Sequence, residues 1–182
     1  MSDVKQEEDH PDRRGFFAKS SMILGGVLAL FPLLAGIGAL LDPLRRKSNR
    51  GGWIRVASLD DVNENGTPLY CRVLLKEQTD AWTKRTNVPV GAVYLRRVQG
   101  GEVEAFNATC PHLGCAIEAR ETERDFYCPC HNSTFALDGS ISDPNSPSPR
   151  SMDTLEVAVV NGEVKVKYLD FRAGVTQKTP TG

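Results

Sequence analysis

The sequence predicts a mostly β protein, in which a single N-terminal transmembrane helix is joined to an antiparallel β-sandwich head with a separate cysteine- and histidine-bearing subdomain. Three observations point there. An apolar run without a charged side chain extends from Ser20 to Leu41. Beyond it, short stretches alternate apolar and polar residues between Gly-rich turns, and no long amphipathic helix is visible. Four of the five cysteines and two of the three histidines fall between Cys110 and His131.

Composition narrows the classes. Of 182 residues, 40% are hydrophobic, 25% charged and 7% aromatic, which excludes a wholly disordered chain and a polytopic membrane protein. Lysine and arginine number 22 against 23 acidic residues, a net charge of −1. The chain lacks the basic excess of a nucleic-acid binder, so no nucleic acid is expected among its partners.

Residues 1–19 are polar. The uncharged run 20–41 has 22 residues. At about 1.5 Å per residue it covers a hydrocarbon core of roughly 30 Å. Pro32 is tolerable in a membrane helix. The run is long for a cleaved secretory signal and no clear A-x-A site follows it, so an uncleaved anchor is expected. Basic residues flank it evenly, Lys5, Arg13, Arg14 and Lys19 before and Arg45, Arg46, Lys47 and Arg50 after, so charge does not set orientation. Arg13-Arg14-Gly15-Phe16-Phe17 resembles a twin-arginine export signal. It predicts a cytoplasmic N-terminus and a head on the periplasmic or outer face of a bacterial cytoplasmic membrane. Residues 42–52 read DPLRRKSNRGG, in which Pro43 is expected to end the helix and Gly51-Gly52 to make a flexible hinge.

The head is expected over 53–172. Trp53–Val56, Leu69–Leu75, Ala92–Val98, Glu102–Phe106, Leu155–Val160 and Glu163–Tyr168 read as strands. Gly100-Gly101 reads as a two-residue turn, Asn161-Gly162 as a type I′ hairpin and Asp138-Gly139 as a further hairpin turn. Thr79–Pro89 is polar and reads as a loop insert, and 173–182 as a disordered tail. Cys71 alternates with Leu69, Val73 and Leu75 and is expected to be a small buried hydrophobe.

The chemistry lies in Cys110-Pro111-His112-Leu113-Gly114-Cys115 and Cys128-Pro129-Cys130-His131-Asn132-Ser133. Each stretch sets a cysteine near a histidine, so two loops can hold a metal centre between them. Two metals compete. A Cys₂His₂ zinc site would make a structural staple, but its usual spacing pairs Cys with Cys and His with His. A mixed pair on each loop suits a two-iron cluster, with two thiolates on one iron and two imidazoles on the other.

The two stretches resemble the cluster-binding boxes of Rieske iron–sulfur proteins, above all the Rieske subunits of cytochrome bc-type quinol oxidoreductases. The resemblance takes in the anchor, the Gly-containing hinge and the β head, whose cluster-binding part would be about 108–150. It implies one [2Fe-2S] cluster, with Cys110 and Cys128 on the inner iron and His112 and His131 on the outer one. It implies a Cys115–Cys130 disulfide, which fits an exported head. Quinol would contact His131 first, with His112 and Leu113 in the docking face. Asp143–Arg150 resembles the family's Pro loop, with Pro147 and Pro149 in the matching places. The implied partners are a cytochrome b-type membrane subunit, a cytochrome c-type acceptor and quinol, within a dimeric complex. The implied activity is one-electron transfer from quinol with a proton on a ligand histidine, and the chain would not turn over alone.

Two positions depart from the family pattern. Asn132 stands where Gly usually follows the second histidine; Asn tolerates left-handed backbone better than most residues. Ser133 matches the hydroxyl that bonds a bridging sulfide, but Phe135 lacks the hydroxyl of the Tyr found in many high-potential members. Fewer hydrogen bonds to sulfur lower the potential, which favours menaquinol. Two rival functions remain at this point: the Rieske small subunit of a molybdenum enzyme such as arsenite oxidase, and a zinc-stapled structural domain.

Overall fold

The computed structural model describes residues 13–45, 52–80 and 83–181. The chain divides into two units, Met1–Lys47 and Ser48–Gly182.

The first unit contains one helix, α1 (Arg13–Arg45). Its 33 residues correspond to about 50 Å at 1.5 Å per residue, so the apolar run lies inside a longer helix. The span Arg13–Asp42 is long and apolar enough to cross a membrane. The expected boundaries shift at both ends. Arg13–Lys19, assigned to the polar tail, is already helical, since Gly15 alone does not break a helix. Pro43 does not end α1, which continues to Arg45. A proline removes a single backbone donor, and in the last turn little helix is left to disrupt. Residues 46–51, including Gly51 of the expected hinge, lie outside the described residues.

The second unit is antiparallel β. Its strands are β1 (Trp53–Ser58), β2 (Leu69–Asp80), β3 (Thr83–Arg97), β4 (Val103–Asn107), β5 (Glu118–Arg120), β6 (Asp125–Cys128), β7 (Ser133–Ala136), β8 (Thr154–Val160), β9 (Glu163–Lys167), β10 (Asp170–Phe171) and β11 (Pro180–Thr181). Six of them form one sheet in the order β1-β9-β8-β4-β3-β2; β5-β6-β7 form a second and β10-β11 a third. The larger core contains Val62, Cys71, Val73, Val93, Leu95, Val164 and Val166. A second core is built on Phe106, Ile117, Phe126, Phe135 and Met152, with Phe126 and Phe135 contributed by β6 and β7. This two-core arrangement matches the expected head with a separate subdomain.

Turn chemistry fixes the hairpins. Asn161 (φ 53°) and Gly162 (φ 75°) are both left-handed, as a type I′ turn demands. Gly139 (φ 80°) donates to Ala136 C=O at 2.8 Å and closes the turn after β7. The glycine pair 100–101 also sits in a turn, but Val98 N–H donates to Glu102 C=O at 2.9 Å. The loop therefore has three residues (Gln99, Gly100 and Gly101) rather than two.

Two further expectations are corrected. Residues 79–89 are not a loop insert: the β2–β3 ladder runs out to Asp80 opposite Thr83, with Leu75 opposite Val88 and Glu77 opposite Thr86. Antiparallel ladders tolerate two polar faces, and Thr and Val favour the extended backbone. Trp82 lies outside the described residues. The tail 173–182 is ordered through Thr181, because Asp170 pairs with Thr181 and Phe171 with Pro180. Polar composition concealed a hairpin that is held chiefly by backbone groups.

Candidate metal centre

The first box is a tight loop between β4 and β5. Cys110 N–H donates to Cys115 C=O at 2.7 Å and Gly114 N–H to Cys110 C=O at 2.9 Å. Gly114 takes φ 80°, which an L side chain rarely adopts. Thr109 bridges Ala116, and Ile117 N–H donates to Ala108 C=O at 2.8 Å. Tyr94, on β3, secures the exit: its hydroxyl donates to Ile117 C=O at 3.0 Å and accepts from Ala119 N–H at 3.1 Å.

The second box is the tip of the β6–β7 hairpin, where Cys128 pairs with Ser133 across the ladder. Asn132 lies in the turn at φ 58°. The left-handed conformation expected of a glycine is therefore adopted by asparagine. Its Oδ1 accepts from the Tyr127 hydroxyl. The Arg120 guanidinium lies 4.4 Å from the centre of the Tyr127 ring and forms a two-point ion pair with Asp125.

The two loops bring the sequence-predicted residues together. Cys110 and Cys128 are both 1% exposed and carry free thiols. The His112 and His131 rings meet edge-on, centroids 4.8 Å apart. His112 is half-buried, His131 is exposed and Leu113 is 61% exposed at the loop tip. Cys115 and Cys130 form a disulfide between the loops. The Cys128 sulfur also lies near that disulfide, within 4.8 Å of both its sulfurs. Two of those three sulfurs are bonded to each other, so they are not a ligand triad.

Three features fit this site to a metal cluster. The His112 Nδ1 is buried without a hydrogen-bond partner among the described residues. A native interior rarely leaves such an atom unsatisfied. The Ser133 hydroxyl is wholly buried and has no hydrogen-bond acceptor or donor paired to it among the described residues. It stands near enough to Cys110 to favour that thiolate. Burial, reinforced by the adjacent Cys128 thiol, pushes the Cys110 thiol up. Two neighbouring buried thiols resist ionising together, and a bound cation would remove that resistance.

The other predicted residues are placed as follows. Phe135 is fully buried in the second core, opposite Phe126. Pro147 is exposed and Pro149 half-buried, on a loop shaped by Ser146 N–H to Asp143 C=O and the Ser148 hydroxyl to Arg150 C=O. Arg13 and Arg14 begin α1, in the other unit. Sequence reasoning missed Tyr94, Tyr127, Arg150 and Asp153. Only the last two left a signal: opposite charges three residues apart at the end of a loop of small polar residues.

A mostly β head with a mixed Cys–His centre on two disulfide-linked loops defines a class of iron–sulfur protein. A family model, the Rieske [2Fe-2S] domain, matches residues 52–162, and the chain belongs to that family. Its cofactor is one Rieske-type [2Fe-2S] cluster, which displaces the zinc alternative. The chain is 26% identical over 153 residues to the menaquinol:cytochrome c reductase iron–sulfur subunit of Bacillus subtilis, covering 82% of this chain and 87% of that one. It is 26% identical over 143 residues to cytochrome b6-f complex iron–sulfur subunit 1 of Synechocystis, covering 76% of each. Among solved structures, the plasma-membrane Rieske protein PetC3 of Synechocystis aligns with a TM-score of 0.45 at 24% identity, over 63% of this chain and 99% of that one.

Proposed function

We propose that this chain is the Rieske subunit of a membrane quinol:cytochrome c oxidoreductase, anchored by α1 and inactive without its cytochrome b-type partner. The observation that carries the reading is the site itself: two buried cysteines and two touching histidines, one of them exposed, on two disulfide-linked loops with an exposed apolar tip. Relatives described as subunits of quinol- and b6-f-type complexes, matched over most of their length, support it over the molybdenum-enzyme alternative.

Cys110 and Cys128 would bind the inner iron, and His112, through its unsatisfied Nδ1, with His131 the outer one. When bound, the cluster supplies a one-electron acceptor whose reduction makes the ligand imidazoles more basic. His131, the more exposed imidazole, accepts a hydrogen bond from the quinol hydroxyl at Nε2 and holds its proton. Leu113 offers the apolar contact that seats this face in the membrane partner. The buried cysteines and Phe135 keep water from the inner half of the site. The twin arginines Arg13 and Arg14 would direct export of the folded head, leaving the N-terminus in the cytoplasm. The head would then pass the electron to a cytochrome c-type acceptor within a dimeric complex.

Menaquinol is the favoured donor. Phe135 brings no hydroxyl, whereas Ser133, beside Cys110, would offer one to a bound cluster. The potential should therefore lie below the top of the Rieske range of about −150 to +300 mV. A redox titration of the full chain in detergent, followed by EPR, tests this. A rhombic signal reduced at low to middle potential is expected, rising in Phe135→Tyr. A potential at the upper end overturns the menaquinol assignment, and absence of a reducible signal overturns the function.

A further inference from the structure

The residues beyond Gly162 lie outside the match to the family, yet the last of them reach the first box. Gly174 N–H donates to Pro111 C=O at 2.9 Å, one residue from His112. A Cβ placed on Gly174 would stand 3.6 Å from the His112 carbonyl oxygen, so the backbones are nearly in contact. The next residue holds the other side: Val175 C=O accepts from Arg150 Nη1. Arg150 is in turn fixed by paired bonds to Asp153 at 2.9 and 2.7 Å, with side chains only 10% and 5% exposed. Gly174 and Val175 thus join the box-one loop to the end of the Pro loop.

The segment is itself anchored at both ends. At its start, Leu169 C=O accepts from Asn107 Nδ2 at 3.0 Å, and Asn107 Oδ1 accepts from Thr109 N–H, just ahead of Cys110. Further on, Arg172 N–H donates to Thr179 C=O at 2.9 Å, and Lys178 Nζ donates to the Thr154 carbonyl and hydroxyl. Lys178 also lies over the Phe171 ring at 4.8 Å. Within box one, backbone-to-backbone bonds join Cys110 to Cys115 and Cys110 to Gly114, and the His112 N–H points to the Cys110 sulfur; the Pro111 carbonyl is bonded from outside the box, by Gly174.

We propose that residues 169–181 form a strap that positions His112, with Gly174 fastened to the first box and Val175 to Arg150. A half-buried ligand on an exposed loop needs an outer partner to fix its orientation, and loss of such partners commonly weakens metal binding 10- to 100-fold. The proposal needs only the cluster, so it stands whatever the electron donor and acceptor are.

Two variants of the full chain test it. One ends at Arg172, with residues 173–182 deleted. The other is Gly174→Pro, which removes the N–H and forbids the φ of 74°. Iron transfer to a chelator, the EPR line shape and the midpoint potential are read alongside the thermal midpoint. The strap predicts iron loss roughly tenfold faster or more, with an altered line shape in the protein that remains folded. A tail that only stabilised the fold would lower the thermal midpoint and leave the spectrum of the folded fraction unchanged, and that overturns the proposal. So does iron loss within twofold of the parent. If the truncated chain does not fold, Gly174→Pro decides by the same readouts.

Discussion

Asn132 offers the sharpest test of how the second box is held. Its backbone is left-handed (φ 58°) and its side chain accepts a hydrogen bond from Tyr127. These two contributions are separable. Asn132→Ala keeps a Cβ in a conformation that costs an ordinary L residue roughly 1–2 kcal/mol, and it loses an exposed hydrogen bond worth about 0.5 kcal/mol. The expected loss is therefore about 2 kcal/mol. Asn132→Gly loses the same bond but relieves the backbone, so it should fall within about 0.5 kcal/mol of the parent. For a head of this size, about 2 kcal/mol corresponds to roughly 6–10 °C in Tm. Thermal unfolding of the full chain in detergent, followed by β-sheet circular dichroism, reads both variants. Tyr127→Phe completes the cycle: it should cost a few tenths of a kcal/mol beside Asn132 and nothing when combined with Asn132→Gly. An alanine variant as stable as the parent, or a glycine variant worse than alanine, would refute the reasoning.

Three further outcomes follow from the head. The Cys115–Cys130 disulfide closes a loop over a sequence separation of 15. Replacing both residues by Ala should lower stability by about 3 kcal/mol on the loop-entropy estimate, and denaturant titration would show no loss if the loops were already held without it. Burial, with Asp61 adding to it, pushes the Cys71 thiol from 9.0 to about 11. The unfolded chain releases this proton first, so the stability that Cys71 contributes is full below pH 9 and is lost as pH rises toward 11. Unfolding midpoints across that window should fall more steeply for the parent than for Cys71→Ala, and parallel curves would count against a buried neutral thiol. A Cβ at Gly91 would overlap the Tyr168 hydroxyl oxygen, and Tyr168 is only 4% exposed. Gly91→Ala should therefore cost about 1–3 kcal/mol; a neutral substitution would mean that the ring can leave its site.

The site was legible in the sequence because its chemistry is written in consecutive residues. Each box needs its cysteine and histidine within a few positions, since a loop of that length can aim both side chains at one point. The I′ hairpin at Asn161-Gly162 was legible for the same local reason. The supporting groups were not. Tyr94 is 23 residues from the carbonyl it binds, Arg150 is 25 from Val175 and Asn107 is 62 from Leu169. No local pattern announces a backbone carbonyl as a partner. Residues 79–89 were misread because alternation of polar with polar residues carries no periodic signal, although Glu77 and Lys84 meet across the ladder at 3.4 Å.

The hidden interactions share a physical logic. The box loops have few apolar side chains to bury, because their residues are committed to sulfur and imidazole chemistry. Hydrophobic burial is therefore concentrated in Phe106, Phe126 and Phe135, in the same cluster as Cys110 and Cys128. What holds the loops themselves is directional: the disulfide, the Tyr94 hydroxyl, the Tyr127–Asn132 bond and the Gly174 and Arg150 fastenings. Apart from the disulfide, each fixes a position more than it adds stability, since a net hydrogen bond is worth only about 1 kcal/mol. Removing one of these hydrogen bonds should therefore alter ligand geometry more than the melting of the head. Spectra of the bound cluster and rates of iron loss, more than unfolding curves, are the measurements that distinguish these roles.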